Sequence, residues 1–293
     1  FLTEYLFFNS SNKSIITPFL FDNYIKQSEV RQFVCYNNFM KIGIIGLGLI
    51  GGSLFKDLTK KYDVIAVSQS QNGDKIFKSY EVLKDRDLIF VCTPMNKTIA
   101  VLDELENYLS PDTVVTDVCS LKKFVSEKQR PYKFIPSHPM AGTEHKGFEN
   151  SFEGLFKNAK WVIIGNQEDK KAKGQALLLE IIDYVGATPI FTTAEKHDEA
   201  VAMISHMPMV IAKAIMLAAK ENPLALEIAS SGFRDMTRLA MSNEEMANDM
   251  VTMNHKNIEQ SILKLYKAIG ELTNGDYPKT IAELKNIRSK MFI

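Results

Sequence analysis

The chain has 293 residues, enough for one large domain or two ordinary ones with a sizeable core. Its 35 Lys and Arg balance 35 Asp and Glu, so nothing predicts the basic face of a nucleic-acid binder, and a small-molecule partner is expected instead. Cys35, Cys92 and Cys119 are odd in number and lack a C-x-x-C spacing, which argues against a disulfide framework or zinc knuckle and fits a reducing, cytoplasmic setting.

Residues 1–39 carry Glu4 near their start, no basic n-region and no uninterrupted apolar core, so a secretory signal is not expected. The sequence does not open on methionine, whereas Met40 directly precedes the first strand. Residues 1–39 are therefore read as a leader of unknown role, upstream or non-native sequence, with no function assigned to it.

The stretch 41–54 joins an apolar strand to a glycine-punctuated turn and a helix expected over 52–60. Gly46, Gly48 and Gly51 have the G-x-G-x-x-G spacing: the first glycine permits the tight turn, the second lets backbone approach a pyrophosphate, and the third lets helix pack on strand. Leu49 and Ile50 would offer amides at the helix N-terminus. A second parallel strand is expected over 64–67, ending at Ser68. An acidic residue in that place commonly holds the adenosine ribose. Ser68, Gln69 and Ser70 would not repel a 2′-phosphate, and no arginine is at hand to attract one, so NAD and NADP both stay open.

The third strand is expected over 87–92, closed by Thr93 and Pro94, and the fourth over 113–117, followed by Val118-Cys119-Ser120-Leu121-Lys122. Ligands bind beyond the carboxyl ends of such strands, so Thr93, Pro94 and Asp117 join the expected cofactor site. A short strand over 133–135 feeds a loop over 136–144, strands follow at 161–164 and 188–191, and a helix spans 168–185. These elements give a Rossmann-type α/β domain over 40–193. From residue 194 strand-like runs vanish, and an all-helical domain over 194–293 is expected, with helices at 194–220, 224–241 in two pieces around Gly232, 243–271 and 278–290. The apolar run 201–219 contains Ser205, His206, Pro208 and Lys213, and is read as a buried helix with no membrane partner. The long, partly apolar 243–271 segment predicts burial against another subunit, hence a homodimer through the helical domain.

His138, fixed between two prolines on the expected loop, would have one imidazole nitrogen free for proton transfer near neutral pH. Ser120 approaches the same crevice, as a hydrogen-bonding group for substrate or histidine, or as a helix N-cap. Lys122 is a substrate-binding or surface lysine. Arg234 and Arg238 lie four apart on one helical face, and one of them suits an anionic substrate or an ion pair with Asp235. His197, Asp198, Ser205 and His206 lie on the helix joining the domains and line a cleft or a domain contact. No H-E-x-x-H or clustered carboxylate set appears, so no catalytic metal is expected.

The residues 137–144, the His197-Asp198 pair with Ser205-His206 beyond it, and Gly232-Phe233-Arg234-Asp235-Met236-Thr237-Arg238, behind the glycine fingerprint, resemble the prephenate and arogenate dehydrogenases of tyrosine biosynthesis. The resemblance runs from Met40 to near the C-terminus and implies a Rossmann-type domain followed by a helical dimerisation domain. It implies NAD(P)-dependent oxidative decarboxylation of prephenate to 4-hydroxyphenylpyruvate. His138 would accept the C4 hydroxyl proton, with Ser120 beside it, and Arg234 would hold a substrate carboxylate. Thr143, Glu144 and Asp198 would shape or gate the pocket, with His206 close to it. Met209 stands where the family often has a second histidine; no room is expected for an appended chorismate mutase and nothing resembles a C-terminal regulatory ACT domain, so a monofunctional enzyme is expected. Three other readings stand beside this one: an arogenate or cyclohexadienyl dehydrogenase, whose substrate differs only in keto or amino at the side chain, a 3-hydroxyacid or 6-phosphogluconate-type dehydrogenase using Lys213 or Lys220, and a nonenzymatic NAD(P)-binding sensor.

Overall fold

The computed structural model describes residues 40–143, 145–166, 173–275 and 277–291. The expected leader, Cys35, Glu144 and the start of the helix expected from 168 lie outside them.

Strand β1 (Lys41–Ile45) is apolar at every position after its first, and it takes the centre of the sheet, where both faces are covered. β2 (Asp63–Val67) and β4 (Leu88–Val91) flank it in parallel, Ile44 lying opposite Ala66 on one side and Phe90 on the other. With β3 (Ile76–Phe77), β5 (Val114–Asp117) and β6 (Lys133–Phe134), the order is β3-β2-β1-β4-β5-β6, the doubly wound Rossmann arrangement. β3 escapes sequence reading because two residues cannot display a period. The first helix, α1 (Leu49–Leu58), begins earlier than the expected 52, because Gly48 is already its N-cap. α1 packs on one sheet face and α2 (Met95–Leu105) on the other.

The glycines make the strand-to-helix turn possible. Gly46 has φ +90°, and a Cβ on it would stand 2.7 Å from the Cys92 carbonyl oxygen. A Cβ on Gly51 would lie 1.9 Å from the Gly46 carbonyl oxygen, so any side chain there drives α1 off the sheet.

After the short helix α3 (Lys123–Ser126) and β6, a second sheet forms from β7 (Ser137–Pro139), β8 (Lys160–Ile164) and β9 (Thr188–Thr192), with β7 antiparallel and β9 parallel to β8. His138 thus lies in a strand opposite Val162, not on the loop expected at 136–144. The Ser137 hydroxyl explains the strand: it donates to the Asp117 carbonyl oxygen at 3.0 Å and accepts from Trp161 Nε1 at 3.0 Å, with Thr116 Oγ1 a further partner at 2.7 Å. Such non-local pairing leaves no trace in local periodicity. Helix α4 (Lys173–Tyr184) and buried Trp161, Phe156 and Ile163 join Ile42, Ile44 and Phe90 in the main core.

From Ala194 the chain is helical. α5 (Ala194–Val201) runs through a π-turn at residues 202–206 into α6 (Met207–Ala219), and the wider turn accommodates the missing N–H of Pro208. The expected burial of this helix is not observed: in α6 only Met209 and Ala212 are buried, while Ile204 is 63% and Leu217 59% exposed. By length and hydropathy alone Ala194–Ala219 could cross a bilayer. α7 (Pro223–Glu227) and α8 (Ser231–Thr237) separate at residues 228–230, so Gly232 lies inside α8 and does not divide the pieces. The single helix expected over 243–271 is two, α9 (Glu244–Met253) and α10 (His255–Asn274), broken at Asn254, and α11 (Tyr277–Met291) follows. Met95, Cys119 and Leu121 of the sheet part meet Val201, Met209, Ala247 and Met250 of the helical part in a small apolar seam.

Gly51→Ala is expected to lower the unfolding free energy by about 2 kcal/mol or more, read by urea denaturation, because its clash is with backbone and no side chain can yield.

Candidate active site

The turn between β1 and α1 presents a backbone cradle. A Cβ on Gly48 would meet nothing within 4 Å, and α1 has neither a side-chain cap nor an acidic residue in its first turn. The N–H groups around Leu49 and Ile50 therefore face space with positive character, which suits a pyrophosphate. Gly46 N–H donates to Val67 O at 2.9 Å, holding the cradle against the end of β2, and Thr93 and Pro94 close β4 beside it. The Thr93 hydroxyl shares a 3.0 Å hydrogen bond with Thr98. At the end of β2, buried Ser68 accepts from Gln71 N–H at 3.2 Å. Sequence reading missed Lys78, just past β3, whose ammonium donates to the carbonyls of Ser68 (2.9 Å), Gln69 (3.2 Å) and Gln71 (2.7 Å). Only the pairing of β3 with β2 brings it there.

Asp117 and Lys122 do not serve as expected. Both side chains are fully buried and paired with each other. Asp117 also accepts from Cys119 N–H at 2.9 Å and Ser137 N–H at 3.2 Å, and Lys122 donates to the Ser137 carbonyl at 2.7 Å. Asp117 has no face left for a cofactor and Lys122 none for a substrate; together they clamp β7 to the end of β5. A charge so buried stays only while its partner does.

That clamp positions His138. Its Nδ1 lies 3.0 Å from His197 Nε2, and His197 Nδ1 lies 2.8 Å from Asp198 Oδ1. The carboxylate can only accept, so His197 donates from Nδ1 and accepts at Nε2. His138 therefore donates from Nδ1, and its Nε2 carries the lone pair, with no protein hydrogen bond among the described residues. Burial, then the nearby His197, Lys122 and His206, hold the His138 imidazole well below its ordinary pKa, so the ring is neutral at pH 7. Asp198 also accepts from Lys122 N–H at 2.8 Å and Lys123 N–H at 3.0 Å, capping α3 from 75 residues away. Ser120 is thereby released from the N-cap role: its half-buried hydroxyl has no hydrogen bond among the described residues.

His206 is fully buried near this pair. Burial, with His197 adding to it and Asp198 opposing, pushes its pKa down to about 4. Its Nδ1 meets Asn254 Nδ2 at 3.1 Å, and its Nε2 has no partner among the described residues. Cys92 and Cys119 are no nucleophiles: burial raises both thiols, that of Cys119 to about 12.

Other expected site residues stand apart. Arg234 is 80% exposed on α8, 3.7 Å from Asp235, with no hydrogen bond or ion pair joining it to the histidines. Thr143 is exposed and its hydroxyl accepts from His145 N–H at 3.2 Å, while Glu144 lies outside the described residues. Met209 is buried in the seam.

A family model described as prephenate dehydrogenase, nucleotide-binding domain, matches residues 60–191, and one described as prephenate dehydrogenase, dimerization domain, matches residues 193–285. Prephenate dehydrogenase of Bacillus subtilis is 31% identical over 240 residues, 73% of this chain and 64% of the relative, so the chain spans just under two thirds of that protein. Prephenate dehydrogenase of Lactococcus lactis is 28% identical over 261 residues, 78% of this chain and 72% of the relative. The crystal structure of Synechocystis arogenate dehydrogenase, 32% identical, superposes with a TM-score of 0.70 over 86% of this chain and 97% of its own.

Asp198→Asn retains one acceptor oxygen but cannot satisfy two backbone donors and a histidine as a carboxylate does. It is expected to cost about 1–2 kcal/mol of unfolding free energy, measured in urea. Unchanged stability would mean the cap contributes nothing.

Proposed function

This chain belongs to the prephenate dehydrogenase family, and we propose from that premise that it catalyses the NAD(P)-dependent oxidative decarboxylation of prephenate to 4-hydroxyphenylpyruvate in tyrosine biosynthesis. The observation that carries the reading is the neutral His138, its Nε2 lone pair uncommitted, held at the seam between the nucleotide-binding sheet and the helical part. A nicotinamide dinucleotide whose pyrophosphate is held by the glycine cradle would supply the hydride acceptor. His138 takes the C4 hydroxyl proton as the C4 hydride departs; the bond to the ring carboxylate then breaks, releasing carbon dioxide, and its electron pair aromatises the ring as a phenolate, which recovers the proton from His138 to give the phenol. The positive charge gained by His138 is stabilised through His197 by the Asp198 carboxylate. Ser120, its hydroxyl uncommitted, serves as a second hydrogen-bonding group for the reacting hydroxyl.

The active form is a homodimer through the helical part. Leu217, Ile228, Met236, Met241 and Tyr266 are exposed there, apolar side chains that a second copy would cover. Arg234 shares α8 with Met236, and its role as the carboxylate-binding group belongs to that covered state. The lysine-dependent alternative lacks support: Lys213 donates to the Ala240 carbonyl at 3.4 Å and Lys220 is exposed at the end of α6.

The finer cofactor reading is NADP. Ser68, Gln69 and Ser70 follow β2 where a carboxylate would repel a 2′-phosphate, and the Lys78 ammonium supports the Ser68–Gln71 turn with positive charge. Binding of 2′-AMP, measured by calorimetry, is expected to exceed that of 5′-AMP by roughly tenfold and to lose that margin in Lys78→Met. Equal binding of the two by the unaltered protein would contradict the reading. In steady-state assays with prephenate and arogenate, His138→Asn is expected to lower turnover by roughly 10²-fold or more with nucleotide binding intact. An unaffected rate would remove His138 from the chemistry.

A further inference from the structure

Asn254 interrupts the α9–α10 helix with φ −119° and ψ 19°, and its buried amide makes three hydrogen bonds. Nδ2 donates to the Asp198 carbonyl oxygen at 2.9 Å, and Oδ1 accepts from Asn257 Nδ2 at 2.8 Å. A backbone carbonyl cannot donate, so the amide has one orientation: the group that meets His206 Nδ1 at 3.1 Å is also an N–H. His206 Nδ1 must then be the acceptor, and a neutral ring carries its proton on Nε2.

That Nε2–H is buried and without a partner among the described residues. A buried donor left unpaired is costly, and its presence calls for an acceptor brought by something else. We propose that Asn254 is a positioning residue that fixes His206 as an Nε2–H donor toward an oxygen of the bound substrate. On this proposal the substrate would meet one nitrogen of each kind, His138 Nε2 as acceptor and His206 Nε2 as donor. His138 and His206 are close enough that a proton on His206 would disfavour one on His138. Asn254 also grips the backbone of Asp198, so it couples the break between α9 and α10 to both histidines.

The proposal rests on the family reading for the identity of the substrate but not for the tautomer. Nitrogen-15 spectra of histidine-labelled protein are expected to show His206 as the Nε2–H tautomer from pH 5 to 8. Adding prephenate, and in a second sample arogenate, without nucleotide should move the His206 Nε2 resonance in at least one of them. An Nδ1–H tautomer, or an Nε2 resonance that ignores both bound ligands, would overturn the proposal. Asn254→Ala is expected to raise KM roughly tenfold with a much smaller change in kcat and to mix the two tautomers of His206. A folded Asn254→Ala protein with unchanged KM and tautomer would also overturn it. Absence of turnover with either substrate would contradict the assigned reaction and leave the tautomer result standing on its own spectrum.

Discussion

One buried carboxylate holds this architecture together. Asp198 sits on the first helix of the helical part and is satisfied by the N–H groups of Lys122 and Lys123, at the start of a helix in the sheet part, and by the ring of His197. Hydrogen bonds to a charged acceptor contribute about 1.5–3 kcal/mol each, and a buried carboxylate with fewer of them would be expelled or protonated. The same group therefore docks the two parts, caps α3 and selects the tautomer of His197. Through His197 it selects the tautomer of His138, so the direction in which a proton can move is settled by a residue that never meets the reacting atoms.

A second buried pair divides the electrostatic labour. Lys122 neutralises Asp117 inside the fold, and its residual field disfavours a proton on His138. Asp198 is hydrogen-bonded to the far side of His197. His138 consequently rests neutral, yet the charge it acquires on accepting a proton faces a carboxylate across one intervening ring. A ring buried without that relay would be equally neutral and would have nowhere to place the charge.

The glycine fingerprint was legible because its demands are local: Gly46 and Gly51 are glycine for backbone reasons visible in the spacing itself. His138 was legible as a candidate because a histidine between prolines beyond a strand is unusual, though its strand was not, since β7 exists through Ser137 and its bonds to Asp117 and Trp161. Lys122 and Asp117 look like crevice residues in sequence, and only three-dimensional pairing buries them. The helix from Ala194 reads as a core helix by composition but presents much of that apolar surface outward, because sequence hydropathy does not distinguish a core from an uncovered interface. Lys78 and Asn254 escaped notice because each acts on a segment far from it in the chain. An asparagine followed by histidine inside a long helical pattern was the one local hint of the second.

The pH dependence of kcat/KM tests the central claim most directly. A base whose pKa is held down stays unprotonated as pH falls, so the rate is lost only below the ordinary histidine range. The account predicts an acid limb well below pH 6.5 in the unaltered enzyme. A limb at or above 6.5 that disappears with His138 would contradict it, because the ring would then titrate as an exposed histidine does and the relay would not govern it.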